Sequence, residues 1–373
     1  MLDAWLQSDE FAEQAARHHK SLFLNNVLFN LDPKRTLRDY GQFGFGIWYS
    51  YELASIHRDQ PMTNCTDYDA DVNDLNQPRS WRTLWNGGRD EGAVDVQPWW
   101  DMDATIRVCA YDAQLTEVSS EGNDCSTLAG QADRDCGCGP NLVWCSTAEQ
   151  QARVNAGLSD AISQRVRDVV SDEQPYSALL TDASVYLNGP LVDYYRNRVA
   201  FSDTLTLPVP LAELPDLSSD ADDTWVEISV GEEHAGVLTE PGWLLRHQTN
   251  RGRANRFFTE FLCGEFIPPE GGIVEIAEEN PTPDLSQKPV CMDCHTVLEP
   301  WAAYWGRWQE VGANHYDAAT YPAYSDECAD CAPYCQDAYC RLNYLTRVRH
   351  PHEESYVGTF NPYVFLVGDA EDH

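Results

Sequence analysis

Thirteen cysteines constrain this 373-residue chain more than any other feature. They fall in three groups, six between Cys65 and Cys145, then Cys263, Cys291 and Cys294, and finally Cys328, Cys331, Cys335 and Cys340. So many thiols suit an oxidising compartment, where they pair into staples. The expected location is therefore outside the cytoplasm, periplasmic or extracellular. Cys136-Gly-Cys138-Gly139-Pro140 cannot be regular structure and reads as a disulfide-pinned loop.

Sixty acidic residues against 25 basic ones give a net charge of −35. Phosphates would be repelled, which excludes nucleic acid and argues against an anionic membrane surface. No stretch reaches the roughly 20 apolar residues that cross a bilayer, so no membrane span is expected. With 43% hydrophobic residues and 12 Trp, the chain has core-formers that a disordered acidic tail lacks. The first residues carry no basic and apolar leader pattern, so the chain reads as a mature form or a piece of a longer precursor.

Apolar residues at helical spacing predict an N-terminal helix over residues 1–30. Residues 35–145 read as irregular, with strand candidates Phe43–Tyr49 and Ala104–Tyr111. A capping box, Ser146-x-x-Glu149, opens a helix whose stripe is Val154, Leu158, Ile162, Val166 and Val170, ending near Asp172. Residues 176–200 read as helix and turn, Trp225–Val230 as a strand, and Arg253–Cys263 as a helix stopped by Gly264. The divisions are an N-terminal helix with a Cys/Asp-rich irregular region (1–145), a helical region (146–270), and a haem-binding segment with a Cys-rich cluster (271–373). The expected fold is mainly α with irregular, disulfide-stapled loops and a few short strands, and a c-type haem-binding helical domain in the C-terminal half.

Cys291-Met292-Asp293-Cys294-His295 is C-x-x-C-H, the attachment signature of c-type haem. Two thiols at this spacing can add to the two vinyl groups, and the adjacent His295 is carried under the iron as proximal ligand. A chance occurrence has a frequency of only about 0.01 per chain of this composition. The rivals are a thioredoxin-like pair, which wants a βαβ context, and zinc, kept open by the Cys328–Cys340 cluster. That cluster has no His after any Cys and reads as two disulfides. With two cysteines on a haem, eleven remain, so one thiol is expected to be free or paired between chains. Pro300 reads as a helix start, with Trp301, Tyr304, Trp305 and Trp308 as a stripe that serves either a porphyrin wall or ordinary core. Asp67, Asp69, Asp71 and Asn73 alternate oxygen ligands, but Val72 and Pro78 break the calcium-loop template, leaving an acidic solvated loop or a non-EF calcium site.

The segments 171–191, 235–247, 251–269 and 291–308 resemble, in this order, the large extracytoplasmic cytochrome-c-like proteins of planctomycetes and myxobacteria, a family of undefined biochemical role that carries a single C-x-x-C-H. The N-terminal segment LQSDEFAEQAARHHK is similar to that family's first helix. The resemblance implies a largely helical, secreted, haem-c-binding protein. Leu298 and Glu299 depart from the Met and Asp that precede the family's post-haem proline, and the cysteine-rich 60–145 insertion is foreign to it. His18 matches the family's Ala-Arg-His position and is the first candidate for the distal iron ligand, ahead of His247, Met102 and Met62; an open or water-bound site is the alternative.

These readings predict a monohaem c-type cytochrome that transfers single electrons to a redox protein partner or an extracellular electron acceptor, rather than a catalyst. Two alternatives stand beside it. One is a haem enzyme with an open sixth site for peroxide or small-ligand chemistry. The other is a structural subunit of a larger envelope redox complex.

Overall fold

The computed structural model describes residues 2–23, 35–39, 46–50, 65–80, 82–83, 89–127, 130, 132–197, 205–231, 233–266, 291–310 and 312–316. Two helices begin the chain, α1 (Leu2–Leu6) and α2 (Asp9–Phe23). Strands β1 (Arg35–Asp39), β2 (Ile47–Ser50), β3 (Ala93–Val96), β4 (Ile106–Cys109) and β5 (Cys145–Ser146) follow. They form one mixed sheet in the order β3-β4-β2-β1-β5. β1 runs antiparallel to β2, with Leu37 opposite Ser50, and β2 runs parallel to β4, with Ile47 opposite Arg107. β3 lies antiparallel to β4, with Ala93 opposite Cys109.

This sheet corrects the expected fold class. The described residues are 42% helical and 15% strand, and those of the C-terminal half show no helical haem domain. The strands are short, two to five residues each, so alternation within any one of them is a weak signal. Their pairing is made by residues 9 to 110 positions apart, and disulfides supply part of what longer ladders would. Cys65–Cys109 joins β4 to the segment before it, Cys125–Cys136 closes an 11-residue separation, and Cys138–Cys145 anchors the loop ahead of β5. Both strand candidates of the sequence, Phe43–Tyr49 and Ala104–Tyr111, overlap strands that neighbour each other in the sheet.

The long helix α3 (Ala148–Ser171) leads out of β5. Its N-cap is Thr147, whose hydroxyl accepts the Gln150 N–H, one residue later than the capping box implied. Ser146 is unavailable because it sits in β5 opposite Thr36. Val154, Leu158, Ile162 and Val166 are buried as their spacing predicts. One part of α3 packs with β6 (Ser184–Leu187) and α5 (Gly189–Asn197), which follow the short helix α4 (Ala178–Thr181). β6 pairs antiparallel with β7 (Val226–Ser229). Residues 184–187 were expected as helix and turn; all four are buried, which erases the alternation that would mark a strand.

The other part of α3 packs against α2, α6 (Pro241–Arg246) and α7 (Asn250–Phe261), with the aromatic segment after residue 300. Ala16 and Phe23 of α2 enter this core, and Glu13–Arg167 and Lys20–Asp160 ion pairs flank it. α7 starts earlier than Arg253 because Thr249 caps it, accepting the Gly252 N–H. The last helix among the described residues is α8 (Met292–Ala302), continued by a 3-10 turn at Ala303–Trp305. Pro300 therefore lies in the final turn of α8 rather than at the start of a helix. No helix among the described residues is long and apolar enough to cross a membrane.

Candidate metal centre

α8 places the C-x-x-C-H residues on one helical turn. The N–H groups of Cys294 and His295 both donate to the Cys291 carbonyl, at 3.2 and 3.0 Å. Cys291 and Cys294 are half-buried and unpaired, whereas six cysteines of the sheet region form three disulfides. Cys263, exposed just beyond α7, is also free.

One turn further along, Glu299 meets His295. The imidazole Nδ1 lies 2.5 Å from Glu299 Oε1, and the same oxygen accepts from Arg251 Nε at 2.6 Å. Glu299 is 1% exposed, so its charge survives in the interior only because two donors share it. Burial pushes its carboxyl up, but the hydrogen bonds from His295 and Arg251 outweigh burial and hold it below the usual carboxylate range. A carboxylate that accepts at Nδ1 fixes that nitrogen as the donor and leaves the Nε2 lone pair for a ligand. Among the described residues, Nε2 of His295 has no hydrogen-bond partner.

The donor set fits a covalently held iron porphyrin: two free thiols at attachment spacing, and an imidazole whose second nitrogen is already engaged. In the sequence Glu299 stands out only as a departure from the family pattern, and neither it nor Arg251 is read there as a partner of His295. The first was legible as the i+4 partner of His295 on any helix through the motif.

His18 is exposed on α2, with its ring edge-on to His19 at 5.6 Å, and it makes no hydrogen bond or ring contact to Cys291, Cys294 or His295. His247 is packed on Trp243 at 4.4 Å, and its Nε2 is engaged with the Phe23 carbonyl at 3.3 Å. Burial pushes it down to about 4. Met102 is exposed, and Met62 and Cys328–Cys340 lie outside the described residues.

Of the aromatic stripe, Trp301, Trp305 and Trp308 are buried core, with Phe257 against Trp301 at 5.0 Å, while Tyr304 faces solvent. The Asp-rich loop is tied to a cation of its own. Arg107 of β4 donates to Asp67, Asp69 and Asp95 at 2.6, 2.9 and 3.2 Å. The Asn73 side chain accepts from the Leu75 and Gln77 N–H groups.

No family model, curated protein or solved structure matches this chain.

Proposed function

We propose that this protein is a monohaem c-type cytochrome of an extracytoplasmic compartment, passing single electrons to a redox protein or an extracellular acceptor. The observation that carries the reading is the turn of α8 on which Cys291 and Cys294 stay unpaired beside His295, whose Nδ1 is held by buried Glu299. The thiols would hold the group covalently, and His295 would present Nε2 as the proximal ligand. Haem, once attached, supplies a one-electron iron couple. Glu299 and Arg251 hold the imidazole ring in place throughout, and no proton need move at Nδ1.

The disulfides of the sheet region support the oxidising compartment. The four sequence blocks that resemble extracytoplasmic cytochrome-c-like proteins support the same assignment. A surface carrying this much negative charge favours a cationic docking partner.

The test is intact mass under denaturing conditions, for protein exported in cells with and without a c-type haem maturation system. The expected result is one covalent haem per chain, present only with the system and abolished by C291S/C294S. Wild-type protein that carries no haem in either host overturns the reading.

A further inference from the structure

We infer that Glu299, anchored by Arg251, is a positioning residue that fixes the ligand tautomer of His295 and strengthens it as an iron donor, poising the haem at a lowered potential. The inference deepens the haem reading and rests on it. Three observations carry it. Glu299 is one helical turn from His295, and their contact is along the helix, so the ring cannot turn without breaking it. The carboxylate is 1% exposed, so water does not compete for its oxygen. Arg251 reaches the same oxygen from a different helix, α7, which prevents the Glu299 side chain from swinging away.

The chemistry follows from charge. A neutral acceptor at Nδ1, such as a carbonyl or water, orients an imidazole but adds little electron density. An ionised carboxylate draws the Nδ1 proton toward itself and raises the basicity of Nε2. A stronger anionic donor stabilises ferric over ferrous iron. With haem bound, the Nδ1 proton would stay between His295 and Glu299 in both oxidation states. Arg251 tempers the carboxylate without cancelling it, because it is 23% exposed and shares its charge with solvent.

The experiment has two arms. In haem-loaded protein, E299Q keeps a hydrogen-bonding group of the same size but removes the charge. The midpoint potential, titrated with dithionite and ferricyanide, is expected to rise by at least a tenfold shift in the ferric/ferrous ratio, about 59 mV for one electron. E299D, which keeps the charge but withdraws it by one methylene, is expected to fall between. In the apoprotein C291S/C294S, long-range 15N–1H spectra at pH 9 should show His295 with its proton on Nδ1, and E299Q should move population to Nε2–H.

An unchanged potential in folded E299Q overturns the inference while leaving the haem reading intact. So does an unchanged tautomer. Should E299Q fail to unfold cooperatively, E299D replaces it in both arms with the same directions. A wild type without haem overturns the cytochrome reading and with it the lowered potential, and the apoprotein arm then decides only whether Glu299 positions His295.

Discussion

Arg253 is the residue whose removal should be felt most. Its side chain is completely buried, and its guanidinium donates to five oxygens. Nε reaches the His247 carbonyl at 2.9 Å, and Nη1 reaches Asn250 Oδ1 at 2.8 Å. Nη2 serves the carbonyls of Leu244, Gln309 and Gly312 at 3.1, 2.8 and 3.2 Å. One side chain thus ties the end of α6 and the start of α7 to Gln309 and Gly312.

In R253M the four carbonyls lose a charged donor. At roughly 1.5–3 kcal/mol per charged hydrogen bond the gross loss is of order 6–12 kcal/mol. Relief from burying an ion returns several kcal/mol of that. The expected net destabilisation is about 3–5 kcal/mol, the range for breaking one side of a buried charge arrangement. R253K should recover only a minor part, because an ammonium on a flexible stem cannot span the fork. Urea unfolding followed by far-UV circular dichroism measures both. A loss below about 1 kcal/mol in R253M would show that the carbonyls find water or each other, and would refute the hub assignment. Since α7 also carries Arg251, the variant should loosen the Glu299 contact as well.

Other expectations concern acid, the staples and one close approach. Burial pushes His234 and His247 down to about 4. Both are neutral when folded, so the unfolded chain binds more protons between about pH 6.5 and 4, and their stability is present above that window and lost as pH falls through it. H234Q and H247Q should therefore flatten the rise of the urea midpoint with pH across that window, and an unaltered slope contradicts the burial argument. Glu310, pushed by burial up to about 7, has the opposite sign: E310Q should steepen the same rise. Loop entropy makes Cys65–Cys109, spanning 44 residues, worth roughly 4 kcal/mol and Cys138–Cys145, spanning 7, roughly 2. The double serine variants should rank in that order in thermal unfolding, and the reverse ranking would point to enthalpic control. A Cβ on Gly242 would overlap the Leu158 carbonyl oxygen, so G242A should destabilise despite alanine's helix propensity, with a raised melting temperature as the contrary result.

What could be read in the sequence was what is decided locally. The α3 stripe and its end at Asp172 follow from four-residue spacing and a following turn, and Val226–Ser229 from a half-exposed alternation. Non-local pairing set the rest. Ser146 satisfies a capping pattern but is drawn into β5 by Thr36, more than a hundred residues away. β6 is buried throughout and so presents no face to read. In the site, the spacing of Cys291, Cys294 and His295 is the sequence signal on which the proposed haem chemistry rests. Glu299 lay within the helical repeat, whereas Arg251 comes from α7 and becomes visible only when α7 and α8 are packed together. Family position alone suggested His18, which stands exposed on α2.

The central claim is that Cys291 and Cys294 carry haem and His295 ligates its iron. The most direct measurement is the reduced-minus-oxidised pyridine haemochrome spectrum of the denatured, acid-extracted protein. The account predicts that the chromophore stays with the polypeptide, shows the thioether-linked c-type band at one haem per chain, and disappears in C291S/C294S. A colourless polypeptide, or a haem that extracts into the organic phase, contradicts it.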